Sequence, residues 1–184
     1  MVNYIGIAGT MGAGKTTLAR QLGDALDIAY IKEPISPYLA DFYKDNARWA
    51  FHMQVYMMTA RAKGCLILSR FGGIQDRTIF EDKIFQNMLT ARGDLSYKDW
   101  NVCDMLYKAL HKPKPRVILY LKVSPETSIQ RQKERAREKE VGITDDYLTD
   151  LCNRYDEWAK EYTGNIITLD WNNPCSVEEV IERL

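Results

Sequence analysis

The feature that most constrains this chain is a glycine-rich octapeptide near its start, which matches the pattern G-x-x-x-x-G-K-[ST]. Its residues are Gly9, Thr10, Met11, Gly12, Ala13, Gly14, Lys15 and Thr16, and Thr17 follows directly. An apolar run at 2–8 precedes the motif and an amphipathic segment at 15–26 follows it, as expected for a loop between a strand and a helix. Backbone N–H groups of such a loop bind phosphate oxygens, the lysine reaches the β- and γ-phosphates, and the hydroxyl binds Mg²⁺. The sequence therefore predicts a site for ATP, or another nucleoside triphosphate, and Mg²⁺.

Short apolar runs alternate with longer helical segments along the chain. We predict strands at 2–8, 29–31, 73–76, 116–121 and 165–169. We predict helices at 15–26, 46–70, 79–91, 100–110, 125–140, 144–162 and 176–183. Strands that are separated by helices cannot pair through tight turns, so they favour a parallel sheet covered by helices on both faces. The prediction is a three-layer α/β fold around a five-stranded parallel sheet.

The composition predicts one soluble domain over residues 1–184. Lys plus Arg and Asp plus Glu are equal at 25 each, which argues against nucleic acids and acidic membranes as partners. The four cysteines form no C-x-x-C pair, so we expect a reducing, cytoplasmic location. No apolar run approaches the ~18 residues of a membrane span, and we expect no membrane insertion.

Two acidic residues, Glu33 and Asp76, follow predicted strands and therefore belong to the same sheet edge as the glycine-rich loop. A carboxylate at this edge can accept the proton of an attacking hydroxyl or hold a Mg²⁺-bound water. Further along, Arg131 and Arg135 lie one helical turn apart, and Arg137 follows them. Arginines in such a segment can stabilise a transferring phosphoryl group and close over it as a lid. Together with the loop, these residues favour a small-molecule kinase.

In their order and spacing, these motifs resemble those of the deoxynucleoside kinase family over nearly the whole chain. The matching residues are Lys32-Glu33-Pro34, Tyr43, Trp49 to Gln54, Arg61, Asp76-Arg77-Thr78, Asp82, the arginines Arg131, Arg135 and Arg137, and Glu140. The resemblance implies a P-loop kinase fold with an arginine-rich lid at about 131–143. It also implies that the γ-phosphoryl group of ATP is transferred to the 5′-hydroxyl of a deoxyribonucleoside, as in nucleotide salvage.

The resemblance further implies a role for each matching residue. Glu33 would accept the proton of the 5′-hydroxyl, with Arg77 orienting it, while Asp76 would lie nearer to Mg²⁺ and stays open as an alternative proton acceptor. Thr16 would be the other metal ligand, and Lys15 would belong to the catalytic groups. The nucleoside would contact Glu33, Tyr43, Gln54, Arg61, Arg77, Asp82 and Glu140. The ATP would contact the glycine-rich loop, Arg131, Arg135, Arg137 and Asn173.

Asp82 carries the prediction about the base. Thymidine-preferring members of the family tend to have alanine at this position, whereas an aspartate paired with Arg61 favours a base with an exocyclic amine. We therefore expect deoxyadenosine or deoxycytidine as the preferred substrate, with deoxyguanosine also open and thymidine the poorest. One departure from the family pattern bears on this prediction: Gln86 stands four residues after Asp82, where a stacking phenylalanine is usual, and Phe85 lies one position earlier.

Two alternatives share the glycine-rich loop. A nucleoside monophosphate kinase of the thymidylate type would need further arginines for the phosphate of its acceptor, a role open to Arg48 and Arg61. A module that binds ATP without transferring a phosphoryl group would need neither Glu33 nor Arg77, nor the arginines of the lid.

The predicted 46–70 helix has apolar residues on most of its sides. Such a helix is buried either in a core or against a partner subunit. The family resemblance implies a homodimer through this helix, and a monomer that buries these residues internally stays open.

Overall fold

The strands of the chain form one parallel sheet in the computed structural model, which describes residues 4–135 and 143–184. The strands are β1 Tyr4–Ala8, β2 Tyr30–Ile31, β3 Gly73–Asp76, β4 Val117–Lys122 and β5 Ile166–Asp170. The helices are α1 Lys15–Leu26, α2 Leu39–Lys44, α3 Asn46–Phe71, α4 Asp82–Ala91, α5 Tyr97–Ala109, α6 Pro125–Arg135, α7 Asp145–Glu161 and α8 Val177–Glu182. The strand order is β2-β3-β1-β4-β5, and all neighbours pair parallel. The predicted five-stranded parallel sheet is confirmed.

Alternate residues of β1 build two separate cores, because successive side chains of a strand point to opposite faces. Tyr4 and Ala8 pack in a cluster with buried residues of α3, α4, α5 and α7. Ile5 and Ile7 pack in a second cluster with α1 and α8. Helices therefore cover both faces of the sheet, as the alternation of strands and helices predicts.

The strand order brings three loops together at the carboxyl edge of the sheet. Strand β3 lies between β1 and β2, and Ile7 of β1 is in register with Asp76 at the end of β3. Arg77 then donates its backbone N–H to the carbonyl of Ile7 at 3.0 Å. The glycine-rich loop, the segment after β2 and the segment after β3 are therefore neighbours, which is the usual place for a ligand in a sheet of this kind.

Two segments differ from the predicted elements. Helix α2 was not predicted, because six residues are too few to show a helical period in the sequence. The predicted 79–91 helix is a 3₁₀ turn, Ile79–Glu81, followed by α4, since Thr78 and Glu81 form a capping box that tightens the first turn. The other elements agree with the predicted ones to within a few residues at each end. Residues 2–3 of the predicted 2–8 strand and 136–140 of the predicted 125–140 helix lie outside the described residues, as do residues 136–142 of the predicted lid.

Within residues 4–135 and 143–184, no helix is both long enough and apolar enough to cross a membrane.

Candidate active site

The glycine-rich loop curls at the amino end of α1 in a conformation that its glycines allow. Gly9, Gly12 and Gly14 have φ values of 147°, 74° and 88°, which other residues rarely adopt. A Cβ atom at Gly9 or Gly12 would also lie 2.9 Å from a backbone oxygen. The loop can therefore approach its neighbours only without side chains at these positions, and it leaves the amino end of α1 open to an anion.

Lys15 is the first residue of α1, and it is buried. Its Nζ donates to the carbonyl oxygen of Thr10 at 2.7 Å, so the ammonium group bends back over the loop. Burial, together with the nearby Arg77, lowers the pKa of Lys15 to about 8. A phosphate group beside this ammonium would stabilise its charged form, which burial away from water disfavours.

Thr16 and Asp76 bring the loop and β3 into contact. The Thr16 Oγ1 donates to Asp76 Oδ2 at 2.5 Å, and Asp76 is buried. The second oxygen of Asp76, Oδ1, is also buried and has no hydrogen-bond partner among the described residues. A buried carboxylate oxygen without a partner is costly unless water or a cation completes it.

A cavity of about 600 Å³ opens beside the loop. The loop and α1 contribute Met11, Gly12, Gly14, Lys15, Thr16 and Thr17 to its lining. Helices α3 and α4 contribute Met53, Gln54, Met57, Arg61, Phe85 and Leu89. The other loop residues, Gly9, Thr10 and Ala13, are buried and do not line the cavity. The cavity therefore joins the phosphate-binding loop to a second compartment between helices.

Glu33 lines this cavity at the point where two arginines meet. Its Oε1 lies 2.5 Å from Arg61 Nη2 and 3.0 Å from Arg77 Nε, and its side chain is 28% exposed. Although burial favours the neutral acid, Arg77 and Arg61 lower the pKa of Glu33 to about 2. The Glu33 carboxylate is therefore ionised at neutral pH and has an oxygen available to a hydroxyl in the cavity.

Arg77 is fixed on several sides. Its backbone has a φ of 65°, an uncommon conformation for a non-glycine residue, and its side chain is 4% exposed. Its Nη1 donates to the Tyr155 hydroxyl at 2.8 Å, and its Nη2 donates to the Gly9 carbonyl at 3.3 Å. The guanidinium also lies 4.8 Å from the centre of the Phe85 ring. These contacts point the arginine between Glu33 and the phosphate loop.

The predicted pair of Arg61 and Asp82 is present, and it is buried. Arg61 Nη1 donates to Asp82 Oδ1, while its Nη2 donates to Glu33. Burial raises the pKa of Asp82 to about 7, although Arg61 opposes the shift. Asp82 does not itself line the cavity and reaches it through Arg61. Gln54 lines the cavity, and its Nε2 donates to the backbone carbonyl of Asp82 at 3.0 Å.

At Phe85 and Gln86 of α4, where the sequence departs from the family pattern, the two side chains point in different directions. Phe85 lines the cavity, whereas Gln86 is fully buried and donates from Nε2 to the backbone carbonyl of Trp100 on α5 at 2.8 Å. The aromatic ring that α4 presents to the cavity is therefore one position earlier than the usual one.

The remaining predicted residues lie in three different places. Tyr43 lines the cavity, as does Arg131, whose Nη2 donates to the carbonyls of Trp171 and Asn172 at 2.9 Å each. Asn173 is exposed and does not line the cavity. Arg137 and Glu140 lie outside the described residues, as does the side chain of Arg135.

Sequence reasoning missed two groups of residues around the cavity. One is the apolar part of the lining, including Met53, Met57, Leu89 and Tyr147, which are ordinary core residues in a sequence pattern. The other is a buried pair behind Arg77, formed by Glu81 and Tyr155. The capping pattern from Thr78 to Glu81 could have placed Glu81 at a helix start, but not beside a residue 74 positions away.

A phosphate-binding loop, a buried lysine, an arginine-held carboxylate and a half-apolar compartment define a P-loop phosphotransferase that acts on a small acceptor. The chain belongs to the deoxynucleoside kinase family, whose model, described as deoxynucleoside kinase, matches residues 5–184.

Curated relatives and solved structures agree with this assignment. The chain is 37% identical to the deoxyadenosine kinase of Dictyostelium discoideum, over 98% of this chain and 77% of that protein. It is 35% identical to the deoxyadenosine/deoxycytidine kinase of Bacillus subtilis, over 99% of this chain and 91% of that protein. The deoxyadenosine kinase of M. mycoides with bound dATP has a similar structure, with a TM-score of 0.88 and 31% identity over 98% of each chain. The same kinase has also been solved with dCTP, at a TM-score of 0.88.

Proposed function

We propose that this protein transfers the γ-phosphoryl group of ATP to the 5′-hydroxyl of a deoxyribonucleoside, preferably deoxyadenosine or deoxycytidine, in nucleotide salvage. The observation that carries the proposal is the Glu33 carboxylate, which Arg61 and Arg77 hold inside the cavity that begins at the phosphate loop. A carboxylate in this position can orient a hydroxyl toward a phosphoryl group on the loop.

Positioning and charge neutralisation supply most of the rate in this reaction, because the transition state needs little covalent help from the protein. Lys15 and Arg77 are the cations that face the transferring group, and Arg131 adds to them from α6. Glu33 is a weak base, since its pKa is about 2. The hydroxyl becomes strongly acidic as its oxygen bonds to phosphorus, so a weak carboxylate base suffices to take the proton at that stage.

The Thr16 hydroxyl and the buried Asp76 carboxylate fit a Mg²⁺ ion, which prefers oxygen ligands and keeps several waters. No group of three or more His, Cys, Asp or Glu side chains suited to a metal occurs among the described residues. When bound, the ion neutralises charge on the β- and γ-phosphates. Thr16 and Asp76 would hold it, and Glu33 would be left to the acceptor.

The preference for deoxyadenosine or deoxycytidine follows from the groups that fix Gln54. Gln54 lines the cavity, and because the Asp82 carbonyl engages its Nε2, its amide oxygen is the group left to accept from an exocyclic amine. A carbonyl oxygen at the same place, as in thymine, would face another acceptor. The M. mycoides relative that binds both dATP and dCTP supports this choice of bases.

The thymidylate-type alternative finds less support. Arg48 is exposed, its guanidinium lies 5.4 Å from the centre of the Trp49 ring, and it does not line the cavity. Arg61 lines the cavity but is committed to two carboxylates. Neither arginine is therefore placed to hold an acceptor that carries its own phosphate.

We also propose that the protein is a homodimer through α3. Leu66 and Ile67 on this helix are 36% and 40% exposed, and Val102 and Met105 on the adjoining α5 are 48% and 63% exposed. Exposed apolar residues in neighbouring helices favour burial against a partner.

A reducing, cytoplasmic location completes the proposal. All four cysteines are free thiols, and Cys65, Cys103 and Cys152 are buried. A substrate that is phosphorylated at the expense of ATP also calls for a compartment that contains ATP.

The decisive experiment is ATP-dependent phosphorylation of deoxyadenosine, deoxycytidine, deoxyguanosine and thymidine, with the matching monophosphates as control acceptors. We expect turnover on the nucleosides, with thymidine the poorest, and no measurable turnover in folded Lys15→Ala or Arg77→Ala variants. Turnover only on monophosphates would contradict the proposal. ATP binding without transfer to any acceptor would reduce the protein to a nucleotide-binding module, and thymidine as the best substrate would overturn the base preference.

A further inference from the structure

Behind Arg77 lies a buried hydroxyl that the proposed reaction does not use. Tyr155 of α7 is fully buried, and its ring stacks on Tyr120 at 6.1 Å and meets Trp158 edge-on at 6.0 Å. Its hydroxyl accepts a hydrogen bond from Arg77 Nη1 at 2.8 Å and donates one to Glu81 Oε2 at 2.8 Å. The hydroxyl therefore has a fixed direction between a cation and a carboxylate.

The direction of this hydroxyl matters because arginine can only donate hydrogen bonds. Tyr155 must therefore offer Arg77 a lone pair, and its own hydrogen must go elsewhere. Glu81 takes that hydrogen, and burial raises the pKa of Tyr155 well above its ordinary value, so the phenol keeps its proton. Without an acceptor at Glu81, the hydrogen of Tyr155 could turn toward the guanidinium.

Glu81 is itself held by the segment that follows Arg77. Its Oε1 accepts the backbone N–H of Thr78 at 2.8 Å, and the carboxylate is fully buried. The contacts thus run from the Arg77 side chain through Tyr155 and Glu81 back to the backbone at Thr78. This closed ring fixes the side chain of Arg77 relative to its own main chain.

The other polar partners of Arg77 are less suited to fix it. The Gly9 carbonyl is 3.3 Å from Nη2, which is long for such a bond, and Glu33 is the group proposed to take a proton during the reaction. The Tyr155 hydroxyl is the shortest contact of the guanidinium and takes no part in the transfer.

We propose that Tyr155 is a positioning residue for phosphoryl transfer: its hydroxyl, oriented by Glu81, holds the Arg77 guanidinium between Glu33 and the phosphate loop. This inference rests on the proposed kinase function. Tyr155 acts through Arg77, so its loss lowers kcat and leaves binding of the nucleoside almost unchanged.

The test compares Tyr155→Phe with Tyr120→Phe. Both changes remove one hydroxyl from the same aromatic cluster, but the Tyr120 hydroxyl donates to Asp156 at 2.7 Å and does not contact Arg77. We expect Tyr155→Phe to lower kcat by ~10- to 100-fold with the nucleoside KM nearly unchanged, since small misplacements of a positioning group have effects of this size. Tyr120→Phe is expected to keep kcat within about twofold of the wild type, with urea unfolding measured for both variants.

The outcomes separate this inference from the proposed function. A wild-type protein that phosphorylates no nucleoside contradicts the kinase proposal itself. An active wild type with equal kcat values in the two variants contradicts the role of Tyr155, as does a loss that appears in KM alone. If Tyr155→Phe does not fold, Glu81→Gln carries the test, because the Thr78 N–H can only donate and takes the single amide oxygen, which leaves the amide NH₂ facing the Tyr155 hydroxyl in place of an acceptor. It should lower kcat with KM unchanged, and an unaltered kcat would overturn the inference.

Discussion

The guanidinium groups of Arg61 and Arg77 both contact one oxygen of Glu33, and each makes further contacts. Arg61 binds Asp82 on the side of α4, and Arg77 contacts the Tyr155 hydroxyl and the loop carbonyl of Gly9. Two buried cations beside one carboxylate make it a poor proton acceptor in the free protein, but hold it at a defined position. At this scale, geometry outweighs basicity, as the loose transition state of phosphoryl transfer allows.

Replacing Glu33 by Gln tests this balance. The amide keeps the size of the side chain but cannot take a proton, so we expect kcat to fall by ~100-fold or more while KM changes little. Steady-state kinetics with deoxyadenosine would measure the effect, and Glu161→Gln, which alters an exposed carboxylate outside the cavity, is the matched control. An unchanged kcat in Glu33→Gln would move the role of proton acceptor to Asp76.

The buried Lys15 predicts a pH dependence of ATP binding. In the free protein its pKa is about 8, and bound phosphates favour the charged ammonium and so raise the pKa. Binding then takes up a proton above pH 8, so the Kd for MgATP should be flat below that pH and weaken by up to ~10-fold per unit above it. Titration calorimetry of Lys15→Arg, whose guanidinium stays charged, should show no such weakening. Parallel curves for the two proteins would be inconsistent with the assignment.

Between elements, the contact of α3 with the sheet depends on one glycine and one glutamine. Gln75 of β3 accepts from the Tyr4 hydroxyl at 2.5 Å and donates from Nε2 to the Arg61 carbonyl at 2.9 Å. A Cβ at Gly64 would lie 2.6 Å from this Nε2. The buried Gln75 amide therefore packs against α3 only because Gly64 has no side chain. The contact holds the turn of α3 that carries Arg61.

We therefore expect Gly64→Ala to lower the free energy of unfolding, whereas the same substitution at an exposed position of a helix raises it. An exposed glycine in a helix gains ~0.5–1 kcal/mol on replacement by alanine, whereas overpacking a core costs ~1–3 kcal/mol. We expect a net loss of unfolding free energy, measured in urea, and a smaller loss when Gln75→Ala makes room for the methyl group. If Gly64→Ala lowers the free energy of unfolding equally in the wild type and in the Gln75→Ala variant, Gln75 is not the residue that the added methyl group meets.

The sequence predicted these elements better than the contacts between them. Apolar runs were enough for the five strands and the helical period was enough for α1, because each is a local pattern. The phosphate loop could be identified because its function constrains consecutive residues. Tyr155 could not, because its polar partners are 74 and 78 positions away and a tyrosine among apolar residues is indistinguishable from a core aromatic. The α2 helix was missed for want of length.

For the whole molecule, the proposed dimer predicts a mass of twice the chain in solution. Ile67→Glu would place a charge in the interface of α3, so we expect this variant to have the mass of one chain in sedimentation equilibrium. Gln21→Glu adds a charge to α1, on the other face of the sheet, and should leave the dimer intact. The proposed interface would be contradicted if the wild type has the mass of one chain at all concentrations. It would also be contradicted if the Ile67→Glu variant keeps twice the mass of one chain.

Arg61 contacts two carboxylates through its two terminal nitrogens, and this limits how such an enzyme can change its substrate. The same guanidinium touches Asp82, whose backbone carbonyl fixes the Gln54 amide that is proposed to read the base, and Glu33, which is proposed to receive the proton. A mutation that altered the choice of nucleoside through this arginine would also disturb the speed of the chemical step. Selection cannot adjust one trait and hold the other constant here, so we expect natural changes of substrate to require a second, compensating substitution beside Glu33.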